Sequence, residues 1–191
     1  MKKDIVERYE RNKDGEIIIN ISAYKIEDLY DNFDRKSHFL KKDLNQDLVE
    51  YIIESVSEID SESFIIEFSL EQQSKDESKS RIRNSIKNFF QYMKELELKN
   101  MKDMIRTSII LLFTGLAIAG MSVLMNESEL AKSSIIGGVI AEGLTVAAWV
   151  SLWESLATFL IKWMPYRKKI SLYQKISDSK VTFSFGNEQE A

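Results

Sequence analysis

Glu142 and Glu154 are two carboxylates inside an apolar segment, residues 135–161 of a 191-residue chain. A carboxylate at the centre of a bilayer costs roughly 2.5–3.5 kcal/mol on insertion scales, so such a group faces a protein interior or a water-filled path. Helical spacing sets Gly138, Glu142, Thr145 and Trp149 on one face. Three outlets are open to Glu142. It can be protonated, it can bond to polar groups such as Thr114, Thr145 or Ser122, or it can line water in an oligomer. The last makes Glu142, Thr145 and Trp149 candidates for a pore-lining or ion-sensing face. Glu154, further along, is expected at the membrane interface in an ion pair with Arg106.

A second set is basic. Arg81, Arg83 and Lys87 precede a first apolar segment at 107–125, and Lys168 and Lys169 follow the second. Together they are candidates for an anionic ligand or for lipid headgroups, where each cation contributes about 1 kcal/mol. Other chemistry lacks its residues. The chain has no cysteine and a single histidine, His38, in a charged stretch. That removes disulfides, thiolate metal sites and cysteine nucleophiles. No phosphate-binding glycine loop, nucleophile elbow or zinc-protease motif is present. Asp28, Asp31 and Asp34 repeat every three residues, which reads as a solvated helix face. No enzyme activity, cofactor or metal is expected.

The elements that must position these residues follow from periodicity. Asp14-Gly15 is a turn signal before a strand-like run at 16–22. Residues 24–33 read as a short helix or turn. An amphipathic helix is predicted over 45–59, with Leu44, Leu48, Tyr51, Ile52, Val56 and Ile59 as its apolar residues and Asn45 or Asp43 as cap. A second strand is predicted at 63–70 and a polar loop at 71–79. A long helix then starts near Ser80, with Ile82, Ile86, Phe89, Met93, Leu96 and Met101 as its stripe, and nothing breaks it before residue 107. Pro165 is expected to end the second apolar helix. A short helix at 170–176 and a third strand at 181–185 follow.

Residues 107–125 are long enough for about one bilayer core at about 1.5 Å per residue, and 135–161 are longer than one core needs. The short connection implies an antiparallel hairpin. If Met125 faces Ile135, Arg106 faces Glu154 and the midplane lies near Leu116 and Val146. Gly115 with Ala119 is a pair of small residues four apart, and Gly138 adds a third small position, which permits close helix packing. The predicted fold is thus α+β. A cytosolic domain and helical neck occupy 1–104, a transmembrane hairpin 105–164, and a C-terminal helix and strand at 165–191 complete the soluble domain.

Charge is segregated. Residues 26–78 carry 15 acidic and 5 basic side chains, whereas 79–106 carry 8 basic and 3 acidic. The mean hydropathy of −0.23 averages these unlike regions. The acidic lobe argues against bulk duplex nucleic acid as partner. Its acids, Asp43, Asp47, Glu50 and Glu54 among them, offer a docking face for a basic protein. Residues 1–16 are polar and lack a signal-peptide core. Lys99, Lys102 and Arg106 before the first span, and Lys162, Arg167, Lys168 and Lys169 after the second, orient both termini to the cytoplasm by the positive-inside rule.

The run from Trp149 to Phe183, with Trp149, Trp153, Glu154, Trp163, Pro165, Arg167 and Tyr173, resembles the end of an uncharacterised family of small bacterial two-span membrane proteins. The early strand and acidic stretch at 26–33 are similar as well. The resemblance implies an inner-membrane location and carries no activity. The compact two-span architecture is similar to that of membrane effectors of bacterial antiphage systems. With Glu142 unpaired in the hairpin, the leading expectation is a homo-oligomer in the bilayer, gated by a nucleotide or protein regulator of the cytosolic domain. The competing expectation is a non-conducting anchor whose acidic face recruits a partner.

Overall fold

The computed structural model describes residues 6–30, 44–59, 62–71, 76–129 and 133–185. It is an α+β structure built from a three-stranded parallel sheet and three α-helices. In chain order these are β1 (Ile17–Ala23), a 3₁₀ turn (Ile26–Leu29), α1 (Gln46–Ile59), β2 (Phe64–Leu70), α2 (Asp76–Glu127), α3 (Ile135–Asp178) and β3 (Lys180–Phe185). The chain divides into two compact units, one of Met1–Glu95 with Ile170–Ala191, the other of Leu96–Lys169.

In the first unit, β2 lies between β1 and β3 and pairs with both in parallel. Alternation sets Ile17, Ile19 and Ile21 of β1 on the same face as Ile66, Phe68 and Leu70 of β2 and Val181 of β3. This face is covered by Leu48, Ile52, Val56 and Ile59 of α1, by Ile82, Ile86 and Phe90 of α2, and by Tyr173 and Ile176 of α3. Phe68 stacks on Phe183 at 5.8 Å, and Phe90 meets Tyr173 at 6.1 Å. The opposite face carries Ile18 and Ile65 at one end and is polar along the rest of the strands. Ser69 Oγ donates to Asn20 Oδ1 at 2.9 Å and shares a 2.8 Å hydrogen bond with Ser184 Oγ. One buried and one wet face is unusual for parallel strands, which are normally covered on both sides.

Local signals explain the element ends. Gly15 has φ +81 and closes a turn in which its N–H donates to the Asn12 carbonyl. That left-handed conformation favours glycine. Asn45 Oδ1 accepts from the Asp47 and Leu48 amides and caps α1. Two expectations are corrected. The loop expected at 71–79 gives way to α2 from Asp76, where Asp76 and Glu77 complement the positive end of the helix dipole. Pro165 does not end α3, which continues to Asp178. Proline deprives only the Ile161 carbonyl of its partner. Neighbouring turns hold the helix there: Trp163 stacks on Phe159 at 5.8 Å, and the Arg167 guanidinium lies 5.1 Å from the Trp163 ring centre. Of the candidates at 24–43, His38, Asp31, Asp34 and Asp43 lie outside the described residues.

The second unit holds the apolar lengths of α2 and α3. Both helices are long and apolar enough to cross a membrane, and only 17% of each most apolar window is buried. These apolar lengths are therefore largely exposed, unlike the ends of the same helices that cover the sheet.

Tyr30 bridges Leu44 and shares a 3.0 Å hydrogen bond with Ser85 Oγ. Burial pushes its phenol above the ordinary value of 10.0, against the lowering influence of Ser85 and Arg81. A raised folded-state pKa stabilises the fold below the unfolded pKa, and that stabilisation is lost as pH rises through the folded one. Tyr30→Phe should lower stability at pH 7 by about 0.5–1.5 kcal/mol, the worth of one hydrogen bond. The gap to wild type should narrow above pH 10 in melting curves followed by circular dichroism. A gap independent of pH would show that Tyr30 does not titrate with unfolding.

Candidate functional site

The apolar unit is organised by a seam of small and hydroxyl side chains. On α2, Ser108, Gly115 and Ser122 are buried at seven-residue intervals, and Met104 is buried one turn before. On α3, Ala141, Ala148 and Ser155 recur at the same interval, followed by Thr158. A seven-residue repeat keeps one stripe of a helix against its neighbour over several turns. At Gly115 the two helices come close. A Cβ placed there would lie 3.0 Å from Leu152 Cδ2 and Cγ and 3.1 Å from the Leu152 backbone nitrogen. Hydroxyls in the seam are satisfied across it or by their own helix. Ser155 Oγ donates to the Ser108 carbonyl at 2.7 Å, Ser122 Oγ pairs with Thr145 Oγ1 at 2.6 Å, and Ser108 Oγ donates to the Met104 carbonyl at 3.1 Å.

This seam corrects the register expected from Met125 facing Ile135. Ser122 lies against Ala141 and Thr145, where that register placed Gly138, one to two helical turns away. Paired hydroxyls and the Gly115–Leu152 contact set the alignment. Of the expected packing positions, Gly115 is buried in the seam, and Ala119 and Gly138 are half-buried.

Glu142, Thr145 and Trp149, the expected pore-facing set, are all exposed. Thr145 turns its hydroxyl into the seam towards Ser122. Glu142 and Trp149 lie outside it on an exposed flank, Trp149 at 71% exposure, beside Val146 and Trp153. Thr145 and Ser122 satisfy each other and leave Glu142 without a hydrogen bond or ion pair among the described residues. Arg106 and Glu154 are not paired either. Ser108 and Ser155 occupy the seam at that level, so side chains two positions from one and one position from the other point away from it. Thr158 Oγ1 donates to Glu154 at 3.4 Å. An ion pair in this unit joins Glu97, 11% exposed, to Lys169 at 3.2 Å. Glu97 takes the buried position that the apolar stripe assigned to Leu96, which is 39% exposed.

The basic set also divides. Arg81 pairs with Glu77. Lys169 holds Glu97, and Lys168 is exposed in the apolar unit. Arg83 and Lys87, one turn apart on α2, line a groove of about 290 Å³ with the end of α3 and the start of β3, within the first unit. Ser177, Asp178 and Ser179 form its other wall. An adjoining hollow of about 520 Å³ adds Lys79 and Lys180. Arg83 Nη2 donates to the Val181 carbonyl at 3.2 Å, which fixes the guanidinium at the groove. Ser177 Oγ is buried with no hydrogen-bond partner among the described residues. Among the described residues no group of three or more His, Cys, Asp or Glu side chains is gathered to hold a metal ion.

Two features were missed by sequence reasoning. The seam was signalled by Ser108, Gly115 and Ser122 and by Ala141, Ala148 and Ser155, both at intervals of seven. The contribution of Ser177 and Lys180 to the groove had no local signal, because it depends on the C-terminal segment meeting α2. Comparison with family models, curated proteins and solved structures gives no match.

Gly115→Ala should destabilise the apolar unit by about 1–3 kcal/mol, the usual cost of overpacking a tight contact. Gly120, with nothing within 4 Å of an added Cβ, is the control. Gly120→Ala should be neutral or stabilising by up to about 1 kcal/mol through helix propensity. Melting of both variants in non-ionic detergent measures the difference, and equal effects would contradict the close approach at Gly115.

Proposed function

We propose that this chain is an oligomeric membrane protein whose two apolar helices insert as an antiparallel hairpin and whose assembly forms a gated ion-conducting or membrane-perturbing path. The observation that carries the reading is Glu142, exposed on the flank of α3 among Val139, Val146 and Trp149, with no hydrogen-bond or ion-pair partner among the described residues. A carboxylate turned to hydrocarbon is unfavourable by several kcal/mol. A second copy relieves this by enclosing the flank around water or polar groups. Two helices are too few to enclose an aqueous channel, so conduction requires several copies.

Topology follows from the flanking cations. Lys99, Lys102 and Arg106 stand before the first apolar length and Lys162, Arg167 and Lys168 after the second, which favours both termini on the cytoplasmic side of a bacterial inner membrane. The sheet-bearing unit is then cytosolic and serves as the regulator of the path. An effector that permeabilises the membrane on a cytosolic signal, as in antiphage defence, is the biological role in keeping with this architecture. No step of this role calls for an enzymatic reaction.

In liposomes, wild-type protein should release trapped ions, and Glu142→Gln should change the rate or the cation-to-anion selectivity several-fold. Unchanged flux and selectivity would remove Glu142 from the path. A monomer in detergent by light scattering would remove the path altogether.

A second reading rests on α1. Asp47, Glu50 and Glu54 lie on its exposed side, next to the exposed Tyr51, while its apolar side is buried on the sheet. Such a face suits recruitment of a basic protein by a non-conducting membrane anchor. In that case reversal of these three charges to lysine should abolish co-purification of the partner and steepen with lower salt. Recovery that ignores both charge and salt would exclude this mode of docking.

A further inference from the structure

We propose that the groove lined by Arg83 and Lys87, together with the adjoining hollow that adds Lys180, binds the phosphate group of a small anionic ligand. Three elements converge there, α2, the C-terminal end of α3 and the first residues of β3, all within the sheet-bearing unit. The charge count favours an anion. Lys79 is held by Asp76 at 3.1 Å, but Lys87 and Lys180 have no hydrogen-bond or ion-pair partner among the described residues. Arg83 uses one N–H on the Val181 carbonyl, and a guanidinium has five. Its remaining donors form the planar fork that suits phosphate oxygens.

Two features oppose an anion, and both are weakened. Asp178 lines the groove, but its carboxylate accepts from Gln174 Nε2 at 2.5 Å. The end of α3 presents about half a negative charge. The Ser179 amide and hydroxyl both donate to the Ile176 carbonyl, at 3.2 and 2.7 Å, and so cover part of that end. Against about one and a half negative charges stand Arg83 and Lys87 in the groove and Lys180 in the adjoining hollow. The volume of about 290 Å³ is at the lower end of small-molecule pockets and takes a phosphate or pyrophosphate group, with the adjoining hollow for the remainder of the ligand.

This assignment names a class of regulator for the proposed gating, but it rests on the sheet-bearing unit alone, and binding is measured without ion flux. Failure of one is therefore distinguishable from failure of the other. The full chain in non-ionic detergent at low salt is titrated by calorimetry with pyrophosphate and, separately, with a short-chain phosphatidylglycerol. Saturable binding is expected, weakened at least tenfold by Lys87→Gln combined with Lys180→Gln. Lys13→Gln, the same charge change on an exposed turn of the same unit, should leave affinity within twofold. Arg83→Gln should weaken binding too, but it also loosens β3, so the lysine variants carry the test and circular dichroism checks their fold. Lysine-dependent binding of pyrophosphate assigns a soluble ligand, and lysine-dependent binding of the lipid alone assigns a headgroup. Absence of binding by both titrants, affinity unaffected by the lysine changes, or equal weakening by Lys13→Gln would overturn the proposal.

Discussion

The close approach of α2 and α3 along Ser108, Gly115 and Ser122 decides what the apolar unit can be. In a lipid environment no hydrophobic force draws one apolar helix to another, so association depends on tight packing and on hydroxyls that find partners. Gly115 against the Leu152 backbone supplies the first. Ser155 on the Ser108 carbonyl and Ser122 on Thr145 supply the second. Small residues use up the inner stripe, so the bulky ones, Phe113, Val146, Trp149 and Trp153 among them, are displaced outward. Glu142 is displaced with them. Its position outside the seam is a geometric consequence of the heptad that places Ala141 and Ala148 inside.

The sheet-bearing unit is constrained differently. β2 is its central strand, yet its neighbour β3 arrives only after both apolar helices have been traversed. The core of this unit therefore requires both ends of the chain: Ile17 and Ile19 from one, Tyr173, Ile176 and Val181 from the other. The same arrangement creates the groove. Arg83 and Lys87 are side chains of an ordinary amphipathic helix until the end of α3 and the start of β3 are laid beside them. The polar row Asn20–Ser69–Ser184 shows why the sheet tolerates one wet face, since small hydroxyl and amide groups there bond to each other across strands.

Much of this was legible along the chain. Period-two runs marked β1 and β2, three- and four-residue steps marked α1, and Asp14-Gly15 marked a turn that needs a positive φ. These signals are local, set by the backbone sterics and the burial of one face. The third strand was also visible as a short alternating run near residue 181. Pro165 misled because its usual meaning is an interruption, and a single missing hydrogen bond is tolerated where adjacent turns are held by the Phe159–Trp163–Arg167 stack. The stripe was misread at Leu96 because a carboxylate, Glu97, can occupy a buried position once Lys169 meets it.

Sequence by itself determined the type and approximate extent of the elements, the segregation of charge, and the presence of two helices apolar enough to cross a membrane. All of these depend on side-chain identity within a few turns or residues. Tertiary structure alone decided the pairings: the register in which Ser122 meets Thr145, the separation of Arg106 from Glu154, the division of the five basic candidates, and the order of the strands. Each of those depends on contacts between residues far apart in the chain. Helical periodicity says which residues share a face, but only packing against a second element says whether that face looks inward or out. For Glu142 that distinction is the functional question, and it is set by Ala141 and Ala148 finding their places against α2.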